Sequence, residues 1–398
     1  MTNSFNARAP SFDADAINET IQRALASAGL DTTSGPMHDV TEIIRRALAA
    51  GRLAAATPRF DSEAVIDVAA RVVPAGEETN AAWDCEPSIS DGRQRPGSFE
   101  AHEFRNEAGS RAYKVYVPTG KSEPPRAMIV MLHGCTQSAD DFAAGTQMNR
   151  LADEHGFMVV YPVQAPQANA SKCWSWFKPQ DQLRGAGEPS LIAGIVREVA
   201  RSHGADPSRI YVAGLSAGAA MAVVLGETYP ELFAGVGAHS GLPYGSAHDI
   251  PSALAAMKGR RSGMPGPQGV PGAAGIPRRR AVQAVPTIVF HGDRDHTVRP
   301  TNAAHIVEQA RDAHGAREGD GELRVSTQSG ITPAGRRFSR TVHADTEGRA
   351  RIESWTLHGA GHAWSGGHAS GTYTDGTGPD ASAEMVRFFM ALPRAGTA

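Results

Sequence analysis

Residues 209–221 read RIYVAGLSAGAAM, and their order decides the architecture of the chain. Arg209 to Ala213 is a short apolar run of the kind that fills a buried parallel strand. Ala217 to Tyr229 follows with residues that favour a helix. Between them stands Gly214-Leu215-Ser216-Ala217-Gly218, too short for a loop. The chain must pass from strand to helix in one sharp turn, and the glycines relieve the crowding there. Such a turn lifts its central side chain above the end of the sheet. A serine hydroxyl is a weak nucleophile at neutral pH and needs both exposure and a neighbouring base. The turn supplies the exposure, so Ser216 is the candidate nucleophile, at the N-terminus of a helix where negative charge is favoured.

Working outward, short apolar runs alternate with helical stretches. Strands are expected at 112–117, 127–132 (AMIVML), 157–161 (FMVVY), 233–238, 287–290 (TIVF) and 352–357. Helices are expected at 140–155, 189–203, 302–313 and 381–392. This alternation predicts an α/β domain with a mostly parallel sheet covered on both faces. The domain is expected over 101–398, with an insertion at about 257–284. Residues 263–277 of that insertion read GMPGPQGVPGAAGIP, collagen-like but far too short for a triple helix, and arginines flank it. Residues 1–100 differ: helical periodicity at 14–28 and 39–53, then a Pro-, Gly- and Ser-rich linker. They are expected to form an extension that is either partly disordered or a docking arm.

The 398 residues are 41% hydrophobic and 20% charged, with a formal net charge of −3. A large core is possible, and nothing in the overall charge draws the chain to nucleic acid or an anionic membrane. No apolar stretch is long enough to span a bilayer, and the first residues lack a secretory pattern. A cytoplasmic location is expected, with export as the alternative. The three cysteines, Cys85, Cys135 and Cys173, form no Cys-x-x-Cys pair, so no metal site is expected.

The remaining catalytic groups should follow in the order acid, then histidine. The segment after TIVF reads HGDRDHTV and offers Asp293 and Asp295. Asp293 lies nearer the strand and suits a turn; Asp295 lies further out, where it can reach a histidine, and is favoured. The segment after the last strand reads LHGAGHAW and offers His358, which suits a packed core position, and His362, which sits past two glycines and is favoured as base. His368 is a third candidate. Acyl transfer also needs two backbone amides for the oxyanion. Ala217 and Cys135, in the HGCTQ turn after AMIVML, are the candidates. Trp174, Trp176 and Trp364 either line an apolar acyl groove or pack in the core.

HGCTQ, CWSWF, GLSAG, HGDRD and GHAWSGG, in that order, resemble the esterase/poly(3-hydroxybutyrate) depolymerase family, which includes feruloyl and acetylxylan esterases. The resemblance runs from about Arg111 to Leu392. It implies an α/β-hydrolase fold, a triad of Ser216, Asp295 and His362, oxyanion amides at Cys135 and Ala217, and no cofactor. It also implies that Cys135 and Cys173 match positions bridged in secreted members. The expected substrate is poly(3-hydroxybutyrate) or its oligomers, with a feruloyl or acetylxylan ester as the alternative. A storage-granule surface is the expected partner, and a granule-coating protein with little catalysis is a reading of another class.

Overall fold

The computed structural model describes residues 97–119, 126–260, 284–315 and 322–393. The expected N-terminal extension, apart from 97–100, and the collagen-like run lie outside the described residues.

Ten strands make one mixed sheet. In chain order they are β1 (Ser98–Asn106), β2 (Gly109–Val117), β3 (Met128–Leu132), β4 (Met158–Pro162), β5 (Ile210–Leu215), β6 (Gly235–His239), β7 (Thr287–Gly292), β8 (Arg324–Ile331), β9 (Arg337–Ala344) and β10 (Ala350–Leu357). Their spatial order is β1-β2-β4-β3-β5-β6-β7-β10-β9-β8. The six strands from β4 to β10 run parallel, and both edges are antiparallel. Every residue of β3, β4, β5, β6 and β7 is buried, as strands covered on both faces must be.

Helices α1 (Ala139–Thr146), α2 (Met148–His155) and α7 (Ala381–Met390) cover one face. Helices α3 (Gly187–His203), α4 (Ala217–Thr228), α5 (Ile250–Met257) and α6 (Thr301–Gly315) cover the other. The pleat of β5 serves both cores: Ile210 and Val212 enter the second, Tyr211 and Ala213 the first.

The strand-to-helix passage from β5 to α4 is built on close approach. A Cβ on Gly218 would lie 2.1 Å from the Leu132 carbonyl oxygen, and one on Gly214 would lie 2.5 Å from the Gly218 carbonyl carbon. Both glycines are therefore steric necessities, and they let α4 begin against β3 and β5.

Two expectations need correction. The helix expected at 140–155 is broken at Gln147, whose φ of 54° and ψ of 24° end α1 and start α2. The Gln147 amide still reaches the Ala143 carbonyl at 3.0 Å, so the break costs little hydrogen bonding. The hairpin β8–β9 and the edge strand β1 were not expected. Seven of the eight β8 residues are exposed, so RVSTQSGI carries no apolar alternation to announce a strand. Hydroxyls meet across that hairpin instead, Thr327 with Thr341 at 3.0 Å and Ser329 with Ser339 at 3.2 Å.

Candidate active site

The carboxyl ends of β5, β6, β7 and β10 lie side by side, and ligand sites of open α/β sheets form at that edge. Ser216 follows β5 directly, Asp295 lies in the turn after β7, and His362 in the loop after β10.

Ser216 has φ 58° and ψ −118°, a combination that a side-chain-bearing residue adopts only under constraint. The cost is on the order of 1–3 kcal/mol and must be met by the surroundings. Two backbone bonds hold it: the Ser216 amide donates to the His239 carbonyl at 2.9 Å, and the Ala220 amide to the Ser216 carbonyl at 3.0 Å. The Ser216 hydroxyl makes no hydrogen bond to any described residue.

Asp295 is fully buried and faces four groups. Its Oδ2 accepts from His362 Nδ1 at 2.6 Å, and His291 Nε2 stands 3.4 Å away. Its Oδ1 accepts from the Thr297 and Val298 amides, each at 2.9 Å. Burial by itself raises this carboxyl. The hydrogen bonds from His291, His362 and Val298 outweigh it and hold the group well below the usual carboxylate range. An ionised Asp295 fixes His362 with its proton on Nδ1, which leaves Nε2 as the basic nitrogen.

Most amides of the turns beside Ser216 have acceptors, while those of Gly218 and Ala219 open the first turn of α4 without one among the described residues. Gly134 donates to the Gln137 side chain at 2.9 Å, Thr136 to the Ser171 carbonyl at 2.7 Å, and Ser216 to His239. The Cys135 and Ala217 amides donate to no acceptor among the described residues. The two expected oxyanion amides are thus both free to donate to a ligand.

The turn carrying Cys135 is held from several sides. Gln137 caps Gly134 and donates through Nε2 to Asp141 at 2.8 Å and to the Thr372 carbonyl at 3.1 Å. Asp141 in turn accepts from the Thr372 amide at 2.9 Å. Cys135 and Cys173 are disulfide-bonded, which ties the turn to the CWSWF loop. Gln137 lay within the quoted HGCTQ motif; Asp141 and Thr372 carried no signal.

Two buried histidines brace the site and were also missed. His133 Nδ1 donates to the Gly134 carbonyl at 2.7 Å while its Nε2 accepts from the Gln164 amide at 3.1 Å. His239 Nε2 accepts from the Ser365 amide at 3.0 Å, so one residue links the Ser216 turn with the loop that carries His362. Burial lowers His133 to about 4 and His239 to about 3, and both are neutral at ordinary pH.

The tryptophans pack in the core, the second of the two readings that the sequence left open. Trp174 and Trp364 are 0% and 1% exposed, and Trp176 is 7% exposed. The Trp174 indole donates to the His133 carbonyl at 3.1 Å and that of Trp364 to Ser382 at 3.0 Å, so both are satisfied internally. His368 bonds Ser370 on an exposed loop and does not join Asp295.

The losing candidates form a second set. His358 Nδ1 meets Asp293 Oδ2 at 3.0 Å, and His358 Nε2 meets the Ser339 hydroxyl at 2.9 Å. His358 is thus half-exposed and hydrogen-bonded at both nitrogens, not packed in the core as its position suggested. Asp293 also accepts from the Gly359 amide at 2.6 Å and so shapes the turn.

The chain is 35% identical over 265 residues to a poly(3-hydroxyalkanoate) depolymerase C from Paucimonas lemoignei, covering 65% of this chain and 60% of the relative. It is 39% identical over 140 residues to feruloyl esterase B from Neurospora crassa, covering 35% of this chain and 46% of that protein. It is 31% identical over 232 residues to a probable acetylxylan esterase A from Aspergillus flavus, covering 56% of this chain and 74% of that protein. The chain therefore spans well under two thirds of the first two relatives. Among solved structures, an acetyl xylan esterase from Aspergillus awamori superposes with a TM-score of 0.54 at 20% identity, over 73% of this chain and 99% of that one. That likeness shows the α/β-hydrolase fold. The family model described as esterase PHB depolymerase matches residues 111–329, more than half of the chain, and the chain belongs to that family.

Proposed function

We propose that the chain is a serine esterase that cleaves carboxylic esters of short hydroxy acids, with poly(3-hydroxybutyrate) or its oligomers as substrate. The observation that carries the chemistry is the 2.6 Å bond between buried Asp295 and His362, on the sheet edge where Ser216 is held in a strained turn. His362 takes the proton of the Ser216 hydroxyl as the oxygen attacks the ester carbonyl. That Ser–His contact forms as substrate binds. The amides of Cys135 and Ala217 receive the developing oxyanion, and Asp295 stabilises the imidazolium. His362 returns the proton to the departing alcohol, then activates water to hydrolyse the acyl-enzyme. No residue of this scheme calls for a metal or an organic cofactor.

The polyester substrate is supported by the depolymerase relative; the feruloyl and acetylxylan esterase relatives support a second reading, a carbohydrate-linked ester. Purified protein assayed side by side on 3-hydroxybutyrate oligomers, methyl ferulate and acetylated xylan separates the two. Preferred release of 3-hydroxybutyrate is expected, and preferred release of ferulate or acetate would displace the polyester reading. The Cys135–Cys173 bond fits an oxidising compartment and supports the exported alternative over the cytoplasm. No described helix is long and apolar enough to cross a membrane. A granule surface as partner rests on residues 1–96, which the structure does not describe. Co-sedimentation of a truncation starting at Ser98 with polyester granules tests it, and unchanged binding removes the arm as anchor.

A further inference from the structure

Beside the Cys135 turn opens a depression of about 460 Å³, lined in part by Thr136, Asp141, Lys172, Thr372 and Tyr373. Its backbone is unusual. Thr136 (φ 68°), Lys172 (φ 52°) and Tyr373 (φ 52°) are three of only six described non-glycine residues with positive φ, and Ser216 is another. Glycine or asparagine would adopt these conformations more readily. The side chains do not repay the strain by filling the core: Thr136 is exposed and Tyr373 is 48% exposed. Strain of this kind gathers where a surface must hold a ligand.

The polar groups in the depression are unevenly satisfied. Asp141 is fully engaged: its Oδ1 accepts from the Thr372 amide at 2.9 Å, and its Oδ2 from the Thr372 hydroxyl at 2.6 Å and from Gln137 at 2.8 Å. Lys172 makes no ion pair among the described residues; its backbone amide is anchored on the Asn169 carbonyl at 2.8 Å. Thr136 gives its hydroxyl proton to the Cys135 carbonyl at 2.6 Å, so the long 3.3 Å contact between Thr136 and Tyr373 is donated by the tyrosine. The lining of the depression thus carries one ammonium and one weakly held hydroxyl proton.

We propose that this depression is a carboxylate-recognising subsite, which takes the free acid end of a short hydroxy-acid oligomer on Lys172 and Tyr373. The inference rests on the esterase reading above and sharpens its substrate. When an ester bond of such an oligomer is cut, the part that stays on Ser216 is the acyl half. The free carboxylate belongs to the departing alcohol. A subsite beside the Cys135 amide that binds this carboxylate favours short, acid-ended oligomers over long polymer and over neutral esters.

The test is direct binding of the linear 3-hydroxybutyrate trimer and its methyl ester to the full-length Ser216→Ala protein, by titration calorimetry. The acid is expected to bind about fivefold to tenfold more tightly than the methyl ester, the scale of one partly exposed charge-assisted contact. That gap should shrink in 0.5 M salt, and should close in Ser216→Ala/Lys172→Gln. Equal affinity for acid and ester overturns the proposal, and so does a gap that survives Lys172→Gln. Turnover of p-nitrophenyl butyrate by the unmodified protein is read separately: its failure strikes the esterase reading, whereas the binding gap judges the subsite.

Discussion

Two His–Asp pairs hang from the same pair of loops, each facing a serine carried by another part of the sheet, and their settings differ. Ser216, His362 and Asp295 use the outer residue of each loop; Ser339, His358 and Asp293 use the inner ones. In hydrogen bonding the second set is the better formed, since its serine already meets its histidine at 2.9 Å. The surroundings differ. Asp295 and His362 side chains are 0% and 14% exposed, against 39% and 36% for Asp293 and His358. Water therefore screens the second carboxylate–imidazole contact more than the first. Ser216 sits in a strained turn beside two free amides. Ser339 lies in mid-strand, paired with Ser329 on one side and Thr356 on the other, where ladder bonds occupy the neighbouring amides. A nucleophile with a base but no oxyanion site lacks the interaction that grows in the transition state. Alignment of three side chains is thus a weak criterion, and the state of the nearby backbone decides.

The largest test of this contrast is the nucleophile itself. Ser216→Ala should lower kcat/KM for p-nitrophenyl butyrate by roughly four to six orders of magnitude with the fold intact. Ser339→Ala should stay within about twofold. Substantial turnover by Ser216→Ala that disappears in the double variant would reverse the roles. The acids come next. Asp295→Asn should cost roughly 10³–10⁴ in kcat, because the amide no longer enforces the His362 tautomer. Asp293→Asn should change kcat by less than about threefold, and should cost at most about 1 kcal/mol of stability, the range of an exposed pair.

Much of the first set was legible because its chemistry imposes local pattern. The turn at Ser216 requires Gly214 and Gly218 against β3, and both stand in the quoted box. HGDRD and LHGAGH each carry two titratable residues, and distance from the strand end ranked them by reach. The second set was not legible, because Ser339 belongs to a hairpin whose β8 partner is polar and exposed. Its partnership with His358 follows from sheet order alone. The tryptophans stayed open for a different reason: a large aromatic serves equally well as groove or core, and only packing tells them apart. Gln147 could not be foreseen as a break, since glutamine is a good helix former and the left-handed turn there is a tertiary demand.

A smaller effect separates the two sets through the disulfide. The Cys135–Cys173 bond closes a loop of sequence separation 38, for which loop entropy alone suggests about 4 kcal/mol of stability. It also fixes the turn that presents the Cys135 amide. Reduction, or Cys173→Ser, should lower kcat by roughly ten- to a hundredfold, up to the cost of one lost oxyanion donor. The Asp293–His358 pair meets that turn only indirectly, through Arg336, Asp375 and the segment of Thr372 that holds Gln137, so the His358 ring resonances followed by NMR should move little on reduction. A shift of His358 on reduction would show that the two sets are mechanically coupled.

The smallest effect lies in acid stability, where the buried surroundings of the first set should leave a signature. His133 and His239 are held at about 4 and about 3 in the folded protein, against about 6.5 for an unfolded chain. Above pH 6.5 both states are neutral and these histidines contribute no pH dependence. As pH falls from 6.5 towards 4 the unfolded chain takes up protons that the folded one refuses, and stability is lost. The slope reaches about 1.4 kcal/mol per pH unit for each histidine. His239→Gln keeps an acceptor for the Ser365 amide and removes one titrating group, so it should flatten the slope of denaturant midpoints between pH 6.5 and 5 by one histidine's share, with His133 and His343 still contributing. The quantity to compare is that slope and not the absolute stability, which any core substitution will lower. His133→Gln, in the same buried brace, should flatten the slope by a similar amount. If neither variant flattens the curve, the acid response does not come from the buried brace around Ser216.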